Sequence, residues 1–125
     1  ALPISVESGK YECFVNRNTR LPMMFMDDAI RATLELMDAP LESLNYHSNY
    51  NLSSMSFSAE ELEKEISAHV DFNCLYRPDY RQDIADTWPI SINDDDARKD
   101  WGWEPKFDIS KMTEEMITNL RRLNE

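Results

Sequence analysis

Glycine is scarce in this sequence, with only Gly9 and Gly102 among 125 residues. Loops that cradle a pyrophosphate need several closely spaced glycines, because the backbone must approach the phosphates. Two glycines this far apart in the chain form neither a GxGxxG turn nor a P-loop. The usual backbone site for a nucleotide phosphate is therefore absent from the sequence.

Basic residues and long apolar runs are also lacking. Lys and Arg number 13 against 24 Asp and Glu, giving a formal net charge of -11. Such a charge disfavours nucleic acid and anionic membrane surfaces as partners. No run approaches the roughly 20 apolar residues of a membrane span, and "ALPISVESGKYE" lacks the pattern of a secretion signal. We expect a soluble, intracellular protein.

Cysteine and histidine are too few for a metal centre or a disulfide scaffold. Cys13 and Cys74 each lie in an apolar or aromatic stretch, which predicts two reduced, buried thiols. His47 and His69 are too far apart in sequence to form a helical metal-binding pair. None of the five Tyr is followed by Lys four positions later, so the Tyr/Lys pair of short-chain dehydrogenases is missing. We expect no catalytic, metal or cofactor ligand in the chain.

The length predicts one domain over residues 1–125, because no repeat, low-complexity segment or flexible linker divides the chain. The sequence starts at Ala1 instead of Met, which is consistent with a processed product or a fragment, although removal of the initiator Met would give the same start.

Periodicity predicts alternating short strands and helices. Ile30, Leu34 and Met37 recur at helical spacing, and Pro40 ends that helix. Met112, Met116, Leu120 and Leu123 mark one face of the last helix. The predicted strands cover 11–15, 21–26, 46–54 and 73–77, and the predicted helices cover 28–38, 58–70 and 110–123. This order predicts a mixed α/β fold.

Two helix termini carry specific signals. Ser58 and Glu61 form a capping-box pattern, with Phe57 and Leu62 as the hydrophobic staple, and Leu62, Ile66 and Val70 as the buried stripe. In "DDDARKDWGWEPKFD" (94–108), three Asp suit a helix start and Gly102 suits a left-handed stop. Trp103 is then expected to pack back near Ala97. This cluster is interpreted as structural.

The segment "RPDYRQDIADTWP" (77–89) combines two Arg with two aromatic residues in a predicted loop. In an acidic chain, Arg side chains are suited to bind a carboxylate or phosphate. Solvated Arg side chains and a half-buried Trp explain the same segment equally well. Paired carboxylates elsewhere are explained by helix caps and solvation.

Several blocks together resemble a known family. "LPMMFMDDAIRATLELMDAP", "YNLSSMSFSAEELEKEI", "YRPDYRQDIADTWPISINDDDARKDWGW" and "FDISKMTEEMITNL" are similar, in this order, to the C-terminal part of the extended short-chain dehydrogenase/reductases, the NAD-dependent epimerase/dehydratase superfamily. The nearest branch is the L-threonine 3-dehydrogenases. The resemblance covers nearly all of the chain from about Gly9 onward.

The resemblance implies a C-terminal substrate-binding lobe of a Rossmann-type fold, without its N-terminal Rossmann half. In that family the N-terminal domain binds NAD(+) and carries the Ser/Thr and Tyr/Lys set, and the oxidation of L-threonine yields 2-amino-3-oxobutanoate. The lobe by itself is expected to be inactive. The parent is expected to be a homodimer, mitochondrial in a eukaryote and cytoplasmic in a bacterium.

Site residues follow from the resemblance position by position. Related nucleotide-sugar enzymes have a phosphate-binding Arg where this chain has Leu21, which disfavours a nucleotide-sugar substrate and suits a small amino acid lined by Leu21, Pro22 and Met23. A second phosphate-binding Arg matches Arg81, with Arg77 as a rival. An aromatic pocket residue matches Trp88. The alternatives are the same lobe of a nucleotide-sugar epimerase or dehydratase, and a non-catalytic acidic interaction module.

Overall fold

A computed structural model describes residues 7–123 of the chain. The predicted mixed α/β class is confirmed: short strands and helices alternate along the described residues. In chain order they are β1 (Lys10–Cys13), β2 (Arg20–Met23), α1 (Met26–Asp38), a 3-10 turn (Leu41–Ser43), β3 (Met55–Ser58), α2 (Ala59–Ser67), β4 (Asn73–Tyr76), α3 (Tyr80–Ala85), α4 (Asp95–Trp101) and α5 (Ile109–Leu123). No helix within residues 7–123 combines the length and apolar character needed to cross a membrane.

The strands form two separate two-stranded ladders. β1 pairs in parallel with β4, with Tyr11 opposite Cys74. β2 pairs antiparallel with β3, with Leu21 opposite Phe57 and Met23 opposite Met55. The parallel pair needs a long crossover, and β2, α1, β3 and α2 supply it.

One hydrophobic cluster joins α2 to α5. Ile66 and Ile117 are its buried centre, with Leu62, Val70, Phe72, Met116 and Leu120 packed around them. The predicted stripe of α2 is therefore confirmed, and so is the capping box, because Ser58 Oγ accepts from Glu61 N while the Glu61 carboxylate accepts from Ser58 N. On α5 the prediction of Leu123 was wrong: it is 81% exposed, and Ile117 is buried instead.

A second cluster joins α1 to α4. Ala32, Ala97 and Trp103 are buried together. Gly102 has φ 75°, the left-handed conformation predicted for the helix stop, and Trp103 N donates to Ala97 O. The predicted packing of Trp103 near Ala97 is confirmed. Asp94 occupies the N-cap position without capping, because its carboxylate accepts from Arg98 and from Ser53 N instead.

Asp28 ties the segment before α5 to α1. Its side chain is fully buried, and its carboxylate accepts from the backbone N–H groups of Lys106 and Phe107 and from Arg31. Arg31 also lies over the Trp103 ring, 4.7 Å from its centroid. Burial by itself raises the pKa of Asp28, but the hydrogen bonds outweigh it and lower that pKa below its ordinary value.

Two predicted segments were wrong. Residues 46–54 form no strand, and β3 lies at 55–58. Hydrogen bonds to the Asp100 side chain of α4 hold this segment, and no strand pairing does. Tyr50 Oη donates to Asp100 Oδ2, and Asn45 donates to the same carboxylate from both its backbone and its side chain. The predicted loop at 77–89 contains α3, which begins after Asp79 because the Asp79 side chain accepts from Arg81 N.

The apolar residues that predicted α1 lie on its outer face. Ile30, Leu34 and Met37 are 54%, 56% and 75% exposed. The helix instead buries Asp28 and Ala32 against the rest of the fold. The spacing thus predicted the helix correctly. The described residues, however, cover the side of the helix that carries Asp28 and Ala32.

Candidate functional site

The predicted pocket residues Leu21, Pro22 and Met23 are all in β2. The antiparallel ladder with β3 holds the strand, and the Pro22 position, which has no N–H to donate, is opposite Ser56. Leu21 and Pro22 are half-buried, and Met23 is 43% exposed. The strand therefore presents part of an apolar surface to solvent at one end of the β2–β3 ladder.

Arg20, the residue before Leu21, already has partners within the chain. Its Nη2 lies 2.7 Å from each Glu61 carboxylate oxygen, and its Nη1 donates to the Ser56 backbone carbonyl. The Ser58 and Arg20 hydrogen bonds lower the pKa of Glu61, so this partner stays ionised at neutral pH. Beside Leu21, therefore, the nearest guanidinium in the sequence is occupied by an internal ion pair.

Trp88 follows α3 and is 58% exposed. Its backbone N donates to Ala85 O, and the Thr87 hydroxyl donates to Ile84 O, so the chain turns tightly after the helix. Two residues later, Ile90 O accepts from the Ser56 hydroxyl at 2.6 Å. Because Ser56 pairs with Pro22, this bond attaches the segment after Trp88 to the middle of the β2–β3 ladder.

Arg81 is held near β1 by residues of its own segment and by Phe14. Its guanidinium makes a double hydrogen bond to the Asp79 carboxylate and stacks on the Phe14 ring, with 3.6 Å between its central carbon and the ring centroid. The bond from Arg81 lowers the pKa of Asp79, and the same bond raises the pKa of Arg81. The rival Arg77 forms an exposed ion pair with Glu12 at 3.3 Å. Both guanidinium groups thus have carboxylate partners within the chain.

Gln82 connects these parts, and sequence reasoning missed it. Its Oε1 accepts from Asn16 N at 2.7 Å, and its Nε2 donates to Thr19 Oγ1 at 3.0 Å and to Asp86 Oδ1 at 2.6 Å. Thr19 immediately precedes β2. A single amide side chain therefore joins α3 to the loop that leads into the predicted pocket strand, across a sequence separation that no local pattern reveals.

The face shared by β1 and β4 holds two thiols, Cys13 and Cys74, and two phenols, Tyr11 and Tyr76. Burial raises the pKa of Cys74 and of Tyr11. Burial and a hydrogen bond to Glu63 raise the pKa of Tyr76. Both cysteines are free, as predicted; Cys13 is buried, while Cys74 is only partly so, which corrects the prediction of two buried thiols. A raised pKa keeps Cys74 in the unreactive thiol form.

A cleft beside α4 lies apart from the predicted pocket residues. A cleft of about 240 Å³ beside α4 is lined by side chains that include Tyr50, Asn93, Asp94 and Asp96, and by none of the predicted pocket residues. Within residues 7–123, no three His, Cys, Asp or Glu side chains are grouped so as to hold a metal ion.

Known proteins match the chain in sequence and in structure. It is 48% identical over 115 residues to the mitochondrial L-threonine 3-dehydrogenase of Bos taurus, which covers 90% of this chain and 31% of that protein. It is 43% identical over 115 residues to an uncharacterized epimerase/dehydratase of Staphylococcus haemolyticus, which covers 90% of this chain and 36% of that protein. No protein-family model matches.

A solved structure matches nearly the whole chain. The apo form of a monomeric L-threonine 3-dehydrogenase of metagenomic origin superposes with a TM-score of 0.94 at 95% identity, covering 99% of this chain and 40% of that one. The chain thus spans well under half the length of the proteins it matches. The fold class predicted from the sequence, a lobe of mixed short strands and helices, is confirmed by this superposition.

Proposed function

We propose that the chain forms the substrate-binding lobe of an NAD-dependent enzyme that oxidises L-threonine to 2-amino-3-oxobutanoate, because it is similar in sequence and fold to part of known L-threonine 3-dehydrogenases. The observation that carries this proposal is the structural match to the metagenomic enzyme over 99% of the chain. The bovine relative, with a similar extent of matched sequence, supports the same activity.

The surroundings of β2 support a small substrate in preference to a nucleotide sugar. Leu21 has no charge with which to pair a diphosphate, and the adjacent Arg20 is bound to Glu61. Arg81 is already paired with Asp79 through Nε and Nη2. An amino acid as small as threonine needs one partner for its own carboxylate and a short apolar wall. In this proposal Leu21, Pro22, Met23 and Trp88 form the wall.

The chemistry is divided between this lobe and a cofactor site elsewhere. NAD(+) accepts a hydride when bound, but the described residues contain no glycine-rich turn that fits its pyrophosphate. We therefore place the dinucleotide outside this chain. The residues of β2 and the segment after α3 bind the substrate, orient it and exclude water from one side of it.

The oligomeric state and compartment are finer parts of the proposal. The family resemblance predicts a homodimeric parent, whereas the metagenomic relative is described as monomeric. Light scattering on the full-length enzyme decides between the two. The bovine relative is described as mitochondrial, which supports a mitochondrial location if this chain is eukaryotic; a cytoplasmic location is proposed if it is bacterial.

A second candidate function is the same lobe in a nucleotide-sugar epimerase or dehydratase, which the staphylococcal match favours. A non-catalytic acidic interaction module is the third candidate, favoured only by the net charge of -11. A panel of threonine, serine and nucleotide sugars as substrates separates the three.

The test is a graft. Residues 1–125 replace the matching segment of the metagenomic enzyme, and NADH formation is followed with each substrate of the panel, with the unmodified enzyme as control. We expect threonine-dependent NADH formation from the graft and none from the isolated chain. A folded graft that leaves threonine untouched, or that converts a nucleotide sugar faster, contradicts the proposal. Turnover by the isolated chain contradicts the division of labour.

A further inference from the structure

The short helix α3 lacks the packing that usually fixes a helix. It has six residues, and none of them is buried. A helix this short is not stable by itself, and tertiary contacts must hold it. Neither of the two hydrophobic clusters includes a residue of α3. Its position therefore depends on polar contacts and on the stacking of Arg81 on the Phe14 ring.

Gln82 supplies the side-chain hydrogen bonds from the middle of the helix to the loop before β2. One end of its amide accepts from Asn16 N at 2.7 Å, and the other donates to Thr19 Oγ1 at 3.0 Å and to Asp86 Oδ1 at 2.6 Å. The bond to Asp86 joins residues four positions apart and so ties the amide to the end of α3. The amide thus uses both its donor and its acceptor ends.

The two sides of this link lead to different parts of the predicted pocket. Thr19 precedes Arg20, the first residue of β2, and its carbonyl accepts from Ala59 N at the start of α2. Asp86 ends α3, two residues before Trp88. A shift of the Gln82 amide therefore changes the separation between Trp88 and the strand that carries Leu21.

We propose that Gln82 is a positioning residue for substrate binding, which sets the distance between Trp88 and the β2 strand without touching the substrate. This inference rests on the proposed function, because it assumes that threonine binds between those two elements. Gln82 would act through Trp88 and β2. Altering Gln82 is therefore predicted to weaken threonine binding more than cofactor binding.

Gln82→Glu is the informative change, because it keeps the length and the acceptor end of the side chain. Asn16 N keeps its acceptor, and the Thr19 hydroxyl, which also lies 3.1 Å from Gln82 Oε1, donates to the new carboxylate. A carboxylate now faces the Asp86 carboxylate where a donor stood. Adding Asp86→Asn reverses the polarity of that bond, since the new amide donates to the new carboxylate. Gln82→Met removes the amide altogether, and Asp83→Asn, at an exposed position on the same helix, is the control.

The experiment uses the grafted full-length enzyme and measures KM for threonine, KM for NAD(+), kcat and the melting temperature. We expect Gln82→Glu to raise KM for threonine by about tenfold or more, with KM for NAD(+) and kcat within about twofold. The double variant Gln82→Glu/Asp86→Asn recovers threonine KM to within about threefold of the parent, and Asp83→Asn leaves every value unchanged.

Other outcomes overturn the inference. An unchanged KM for threonine in a folded Gln82→Glu variant contradicts the positioning role. A parallel rise in KM for threonine and for NAD(+) contradicts it too, and so does a double variant whose KM for threonine stays high. If Gln82→Met does not fold, the single and double Glu variants still decide. A parent graft inactive toward threonine overturns the proposed function itself, whereas an active graft with unaffected Gln82 variants overturns only the positioning role.

Discussion

Phe107 donates its backbone N–H to the buried carboxylate of Asp28 at 3.0 Å, although the two residues are 79 positions apart. Lys106 donates to the same carboxylate, so the segment before α5 is fastened to the first turn of α1 by one side chain. The carboxylate has two oxygens that only accept, and every donor around it is a backbone N–H or Arg31.

Asp28→Asn is therefore expected to destabilise the chain by about 3 kcal/mol, because the new amide hydrogens face N–H donors and Arg31 loses its buried partner. Urea unfolding followed by tryptophan fluorescence measures this free energy. The neighbouring Asp27→Asn is the control: Asp27 is exposed, and only its first-turn charge is lost, worth at most about 1 kcal/mol. Equal losses in the two variants contradict the role assigned to Asp28.

Stability is expected to fall in acid. The folded pKa of Asp28 is lowered, so the unfolded chain binds protons first as the pH drops. The stabilisation is complete above the unfolded pKa of about 4 and is lost as the pH falls through that value toward the folded pKa. Asp100, whose pKa is lowered by its bonds from Tyr50 and Asn45, contributes in the same direction.

The free energy of unfolding, measured in urea at a series of pH values, tests this expectation. The difference in free energy of unfolding between the parent and Asp28→Asn should become smaller as the pH falls, because only the parent has the Asp28 carboxylate contribution to lose. A parent chain whose free energy of unfolding rises as the pH falls from about 5 to about 3 has the opposite sign to the one expected from these lowered pKa values.

The two glycines are expected to differ in their tolerance of a methyl group. Both have positive φ, 66° at Gly9 and 75° at Gly102. A Cβ at Gly102 meets nothing within 4 Å, whereas one at Gly9 lies 2.8 Å from the Asp71 backbone oxygen. Gly102→Ala should cost about 1 kcal/mol for the left-handed conformation, and Gly9→Ala distinctly more. Thermal unfolding of the two variants side by side gives the order, and the reverse order contradicts the prediction.

Trp88→Ala in the grafted enzyme is expected to raise KM for threonine or lower kcat by at least about tenfold, equivalent to ~1.4 kcal/mol of transition-state stabilisation. Trp88→Phe retains part of the apolar wall, so its kinetic constants should lie between those of the parent and those of Trp88→Ala. Leu41→Ala, which truncates an exposed side chain outside this segment, serves as the control. Steady-state kinetics that match the parent in Trp88→Ala leave Trp88 as an ordinary surface residue.

What the sequence predicted correctly depends on neighbours a few positions apart. The capping box needs only Ser58 and Glu61, and the helix stop needs only Gly102 and the residues beside it, so local pattern was sufficient for both. The resemblance added the pocket strand and Trp88, whose roles remain predictions.

The segments that were wrong are fixed by distant partners. Tyr50 and Asp100 are 50 positions apart, and their bond holds 46–54 as an irregular segment although its composition is typical of a strand. Gln82 and Thr19 are 63 positions apart, and their hydrogen bond joins the short helix α3 to the loop before β2. Local propensity carries no information about such pairs, because they exist only after the chain has folded.

The exposed methionines on α1 can report whether another surface covers this helix. Met26 and Met37 are 64% and 75% exposed, while Met112 is 8% exposed. Peroxide should convert the first two to sulfoxide well before the third, because oxidation follows solvent access. Any surface that covers α1, whether from a longer polypeptide or from an assembly, slows the oxidation of Met26 and Met37 and leaves Met112 as the internal reference. Mass spectrometry of the oxidised peptides therefore measures how far this helix is shielded.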